Sequence, residues 1–292
     1  MLAIRSKAFL AILIIAFFPF SVRSQGLQDV LANYKGDNGQ KFVQPLSDVL
    51  ASTFHSQVFT GAGAAEKITV DVKLIVPFAF VTDNLRTFEG TTPAGFEPAT
   101  TTEAPTVLGS STPKTVNGIN GTSYTFPGGL GSQVLWYAIP QVNVGGILGT
   151  EVSIRFFAFE PAEDVGQIRM FGLGVQHKLS RYFKDSPVDF SIGYAFNQVD
   201  FENYLKVRNH LFVAHIGKST KIANYYALVG YKTNLTKLQL EYQGEMIDYK
   251  IGNANPLLLG LGAGIRIAFV QFNVEVNGPR PLVASAGVGI HF

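Results

Sequence analysis

An antiparallel transmembrane β-barrel of about ten strands, all-β behind a short N-terminal helical segment, is the fold this sequence predicts. Three observations lead there. Apolar residues recur at every second position along most of the chain after residue 67, one apolar face per strand. Charged residues make up 15% of the 292, against ~25% in a soluble domain, while hydrophobic residues reach 47%. After residue 20, however, no apolar run approaches the ~20 residues of a membrane-spanning helix. The apolar content is therefore carried by strands.

The chain opens as a secretory signal peptide over residues 1–24. Arg5 and Lys7 form the positive head, Ala8 to Phe20 the apolar stretch, and Val22 and Ser24 sit at −3 and −1 of a cleavage between Ser24 and Gln25. No cysteine follows, which excludes a lipoprotein anchor, a disulfide scaffold and thiolate chemistry alike.

Residues 25–66 read as a helical preface or plug. Leu27 to Asn33 has helical spacing, and Lys35 to Gly39 reads as a turn. From Gln40 to Ser56, Phe42, Leu46, Val49, Leu50 and Phe54, with Val43, fall on one face of a 3.6-residue period. Pro45 fits only a first helical turn, which places the helix start near Phe42 to Gln44. That apolar face either lies on the periplasmic side or packs inside the barrel.

The barrel domain is 67–292. Ile68 to Phe80 alternates strictly, and the pattern returns over 151–160, 187–199, 257–267, 269–277 and 283–292. Segments 134–147, 167–177 and 206–217 alternate less cleanly. With 221–243, and with 257–267 counted as the end of one strand over 245–267, the count is ten, an even number that leaves both ends on the periplasmic side. Splitting 221–267 around Asn234 and Asn253 gives twelve; eleven breaks the parity. In hydrocarbon such a sheet must close, because unpaired edges cannot be solvated there. The final run, Ala284, Ala286, Val288, Ile290 and Phe292, resembles the C-terminal β-signal read by the outer-membrane barrel assembly machinery.

Residues 81–133 form a long extracellular loop. Between Thr91 and Thr115 lie eight Thr and four Pro, a composition too polar and too Pro-broken to form a ladder. The apolar patch Tyr124 to Gly129 is the feature that could fold it into a lid.

Opposite the apolar faces stand Asp71, Lys73, Glu151, Arg155, Arg266, Glu275 and His291. Mixed signs there predict ion pairs within the lumen rather than a charge-selective pore. Gly260, Gly262, Gly264, Gly287 and Gly289 leave room for a plug or a small ligand. His210 and His215 are five apart, so they point to opposite faces and share no metal. No catalytic elbow or metal spacing is present and no cofactor is expected. With 23 basic against 21 acidic residues and no basic cluster, nucleic acid is not an expected partner.

Phe126-Pro127-Gly128-Gly129, Pro140 to Gly145, Leu148 to Val152 and Phe171 to His177, with the QPLSDVL preface and the closing ASAGVGIHF, resemble an uncharacterised family of Bacteroidota outer-membrane barrels. The resemblance spans most of 40–292 and implies a barrel in the bacterial outer membrane, in contact with its lipid, and no particular substrate. The helical preface is also similar, in architecture alone, to long-chain fatty-acid transporter barrels. The expected function is passage or binding of a small hydrophobic molecule. The alternatives are a structural or surface-interaction barrel and, least favoured, a barrel-embedded lipid-modifying enzyme.

Overall fold

The period-two segments pair antiparallel, each with its neighbours, into a closed ring of ten. The computed structural model describes Tyr34 and residues 37–63, 67–160, 167–183, 186–201, 205–242 and 245–292. The expected signal peptide, its Ser24–Gln25 cleavage and the Leu27–Asn33 stretch lie outside these residues.

The wall consists of β1 (Thr69–Phe80), β7 (Ile139–Ile147), β8 (Thr150–Phe159), β9 (Ile168–Lys178), β10 (Asp189–Phe201), β11 (Leu205–Ser219), β12 (Ala223–Tyr242), β14 (Leu257–Ile267), β15 (Val270–Gly278) and β16 (Val283–His291). Two further strands, β6 (Val134–Trp136) and β13 (Glu245–Ile251), continue wall segments: β6 pairs with β1 ahead of β7, and β13 pairs with the upper part of β12 ahead of β14. The 221–267 region is therefore one long strand and an interrupted return, and the ring holds ten segments. The seam is β1 against β16, from Asp71↔His291 to Ala79↔Val283. Phe292 extends it by exchanging backbone bonds of 2.9 and 3.1 Å with Val70.

One rim carries short turns and the other long loops. Leu148 and Gly149, both at positive φ (52° and 76°), make the β7–β8 turn, and Ala268 (φ 55°) sits in the β14–β15 turn. A 3₁₀ turn, Leu179–Tyr182, follows β9 on the same rim. Outward positions are apolar: Phe156, Leu261 and Val274 are 65%, 68% and 58% exposed. Such a continuous exposed apolar band belongs to a surface solvated by lipid.

The 81–133 segment differs from expectation. It forms two hairpins, β2 (Thr87–Thr91) with β3 (Thr101–Pro105) and β4 (Lys114–Asn117) with β5 (Ser123–Phe126), after a short helix α2 (Asp83–Arg86). The reason is positional. Thr favours strands, while Pro93, Pro98 and Pro113 fall between the strands and Pro105 ends one, so the ladders have no mid-strand proline. Val81, Leu85, Ala104, Val107, Leu108 and Phe126 are buried, and the segment is a folded lid.

Helix α1 spans Asp37–Thr53, with Pro45 in its interior. The sequence placed the start at Phe42 to Gln44 and read 35–39 as a turn; tertiary contacts override that reading. Asn38 donates to the Thr91 carbonyl (2.7 Å) and accepts from the Thr91 N–H (3.2 Å), and Lys41 donates to the Glu89 carbonyl (3.3 Å). Pro45 costs the helix its bond to the carbonyl of Lys41, an exposed residue. One residue on, the lid's Val107 N–H donates to the Phe42 carbonyl (3.0 Å).

Candidate functional site

The lumen is the site, and the chain's own residues 37–63 occupy it. From Phe42 on, helix α1 is buried on every side: Phe42, Val49 and Leu50, with Phe54 just after it, lie in the main apolar cluster and Leu46 packs partly buried against it, while Ser47, Asp48, Ser52 and Thr53 are buried as well. A helix buried all round has no solvent face. Its polar side meets inward positions of β11, β12 and the β13–β14 break. The Ser47 and Thr236 hydroxyls stand 2.7 Å apart, Asn234 Nδ2 donates to Ser47 Oγ (2.8 Å), and Lys232 Nζ donates to Ser52 Oγ (2.5 Å). Burial holds the Asp48 carboxyl above its ordinary range, opposed by the Gln44 amide and the Ala254 N–H.

Past Thr53 the plug loses regular structure, and wall side chains satisfy its main chain. Arg155, 1% exposed, donates from Nη1 to the Phe54 carbonyl and from Nη2 to the Ser56 carbonyl, both at 2.7 Å, and from Nε to Gln141 Oε1 at 2.6 Å. Gln141 and Ser153 each donate to the Val58 carbonyl (3.0 Å), and Gln176 to that of Gly61 (2.9 Å). Glu275 accepts from the Gln57 N–H (3.0 Å) and from the Tyr226 hydroxyl (2.8 Å). Lys73 Nζ donates to Thr60 Oγ1 (2.7 Å). The plug thus runs from the loop rim, where Tyr34 packs on Phe42 and Phe126, down to the short-turn rim near Gly61.

Phe59 is the apolar anchor of this stretch. Its ring meets His215 edge to face at 6.2 Å and lies in a notch between Gly174 and Gly193. A Cβ at Gly193 would stand 2.6 Å from that ring, so only glycine admits it. Gly193→Val is expected to expel the ring and cost on the order of 3 kcal/mol, as removal of a core Phe does. Gly252→Ala, with nothing within 4 Å of its Cβ position, should cost nothing measurable. The temperature at which the folded form disappears on a gel reads both.

All seven lumen candidates, Asp71, Lys73, Glu151, Arg155, Arg266, Glu275 and His291, occupy inward positions in register around the ring. They do not form one ion-pair network. Asp71 pairs with His291 (2.6 Å) and Lys73 (4.0 Å), but Arg155 and Glu275 bond plug backbone, and Glu151 accepts from Asn143 (2.7 Å). The charges meet main-chain dipoles because an irregular plug segment has unpaired carbonyls and N–H groups to offer. The room left by Gly287 is taken by Gln57, that of Gly262 by Tyr226, and that of Gly289 by Lys73. Of the closing run, Ala284, Ala286, Val288 and Ile290 face outward on β16 and Phe292 follows, 70% exposed. His210 contacts the outward Tyr194 and His215 the inward Phe59. Sequence reasoning missed Gln141, Ser153, Gln176 and Lys232 as plug-holding residues. Their signal was present in the polar half of each alternating run, as in Gln141-Val142-Asn143-Val144.

A family described as a family of unknown function (DUF6588) matches residues 5–292. No curated protein matches the chain in sequence. Among solved structures, the attachment invasion locus protein Ail of Yersinia pestis is 9% identical over 77% of this chain and 99% of that one, with a TM-score of 0.29. A loop-deleted OmpT, an outer membrane protein of Vibrio cholerae, is 11% identical over 77% and 98%, at 0.29. The translocator domain of the autotransporter NalP from Neisseria meningitidis is 11% identical over 86% and 94%, at 0.30.

Proposed function

We propose that this chain, which belongs to DUF6588, a family of unknown function, sits in the bacterial outer membrane as a barrel closed at rest by its own N-terminal segment. It is exported through a signal peptide, and it passes or binds a small hydrophobic molecule when the plug shifts. The apolar outer band supports the location, as does an aromatic row in which Tyr194, Phe212 and Tyr231 stand side by side on β10, β11 and β12. Above that row the outward residues turn polar, with His210, Arg208 and Lys206 on β11. The short-turn rim then faces the periplasm and the lid faces outward.

One observation carries the gating. Residues 54–61 are held by side-chain hydrogen bonds to the wall and add no strand to the sheet, so they can leave without opening the barrel. Toward the loop rim the wall facing α1 is apolar, with Ile168, Met170, Val199, Val207 and Leu238 all buried. A shifted helix would uncover an apolar-lined chamber, which suits a hydrophobic guest.

A covalent lock tests this reading. The chain has no cysteine, so Ser47→Cys with Thr236→Cys creates a single disulfide between plug and wall. The reduced double variant should admit a small apolar fluorophore into liposomes as the wild type does, and the oxidised form should not. Equal uptake by both overturns gating by the plug. The folded lid then favours the second reading, a surface-interaction barrel.

A further inference from the structure

At the short-turn rim, away from the plug's main contacts, the turn between β11 and β12 meets the ends of β14 and β15 around a cavity. Lys221, Asn224, Arg266, Gln271 and Asn273 line it, and no carboxylate does. Gln271 and Asn273 are 7% and 4% exposed. Gln271 Nε2, Asn273 Nδ2 and Arg266 Nε are all buried without a hydrogen-bond partner among the described residues. Buried donors are ordinarily paired, and each one stranded costs about 1–3 kcal/mol. Asn224 Oδ1 is stranded there as well, a single acceptor against three donors, so the donors need a further acceptor.

The surrounding bonds hold this arrangement in place. Arg266 Nη1 donates to His291 Nε2 (3.0 Å). A guanidinium only donates, so that nitrogen is the acceptor, and His291 Nδ1–H is left to donate to Asp71 Oδ1 (2.6 Å). This chain orients the fork and leaves its Nε turned elsewhere. The nearby carboxylates are engaged: Asp71 with His291 and Lys73, Glu275 with Gln57, Tyr226 and Asn277. The Thr220–Ala223 turn is closed by its own backbone bond (2.8 Å), and Arg266 N–H donates to the Ile222 carbonyl (2.7 Å), so the cavity edge is built.

We infer that this cavity is an anion site for a phosphate group, held by Arg266 Nε, Gln271 Nε2 and Asn273 Nδ2 with Lys221 at its mouth. Guanidinium and amide N–H groups in a site without carboxylates select an oxyanion by charge-assisted hydrogen bonding. Ile222 and Ile265, 70% and 52% exposed, border the cavity on the apolar outer face. The phosphate therefore comes either free or on a lipid headgroup. Of the plug, Gly61 comes nearest, against Asn224 of the lining.

The test is thermal unfolding of the exported full chain in phosphate-free detergent, followed as inorganic phosphate is added against chloride at matched ionic strength. A parallel arm adds phosphatidylglycerol. The comparison is Gln271→Met with Asn273→Leu, which removes two stranded donors and should fold as well as the wild type or better. A saturable rise in melting temperature, present in the wild type and lost in the variant, is expected. A rise with inorganic phosphate assigns a free anion; a rise with the phospholipid alone assigns a headgroup. If neither addition raises the wild type above the variant, the site is refuted.

Discussion

Arg155→Met is expected to turn a silent barrel into one that opens in planar bilayers. Arg155 is the largest fully buried side chain of the lumen, and two of its three bonds hold the plug where the helix has just ended, the third bracing it against Gln141 of the wall. A bond from a charged donor contributes about 1.5–3 kcal/mol. Methionine fills similar space but leaves the carbonyls of Phe54 and Ser56 buried and unpaired, so the seated plug should lose on the order of 4 kcal/mol. At 1.4 kcal/mol per factor of ten, that raises the unseated population about a thousand-fold. Arg155→Lys retains the charge but not the fork, so it cannot reach both carbonyls and Gln141 together and should fall between. The wall ladders are untouched, so the variant should still migrate as a folded barrel before boiling. A folded Arg155→Met protein as silent as the wild type would remove the plug from the gating argument.

The wall was legible in the sequence and the plug only partly so, for a physical reason. A strand with lipid on one side and lumen on the other must alternate, so Thr69–Phe80 and Val270–Gly278 declare both their conformation and their faces. The strand count followed from the same pattern plus parity. Helix α1 gave a weaker signal because from Phe42 on it is buried all round: its apolar face was readable, but Ser47 and Ser52, off that face, are wall contacts as well. The hairpins of the lid were obscured by proline content, which counts against strands in composition but not when the prolines stand between them. The anion cavity depends on Arg266, Gln271 and Asn273, two of them neutral amides on different strands from the guanidinium. Only the β14–β15 register makes them neighbours, pairing Arg266 with Gln271 and Gly264 with Asn273.

Thiol labelling should find the N-terminal end of the plug on the outer side of the cell. The plug runs one way through the ring. Tyr34 lies at the loop rim, where the Tyr249 hydroxyl donates to its carbonyl (2.6 Å), while Gly61 and Thr60 are bound by Gln176 and Lys73 toward the opposite rim, where β1 begins. The N-terminal end of the plug therefore stands on the side of the lid. In a chain without cysteine, Asp37→Cys at the exposed start of α1 and the lid variant Ile119→Cys, the latter at a 50% exposed position, are expected to react with a membrane-impermeant reagent on intact cells. Leu148→Cys, in the 74% exposed β7–β8 turn, is expected to react only after the outer membrane is permeabilised. The three sites separate two errors. If Leu148→Cys labels from outside and the other two do not, the barrel stands the other way up. If Ile119→Cys labels and Asp37→Cys does not, the plug does not thread the ring. Threading also constrains assembly, because the β1–β16 seam from Asp71↔His291 to Ala79↔Val283 must either close around residues 37–63 or receive them afterwards. A chain trapped with the seam open should then label at Asp37→Cys only after permeabilisation, and shift to the outer side as the seam closes.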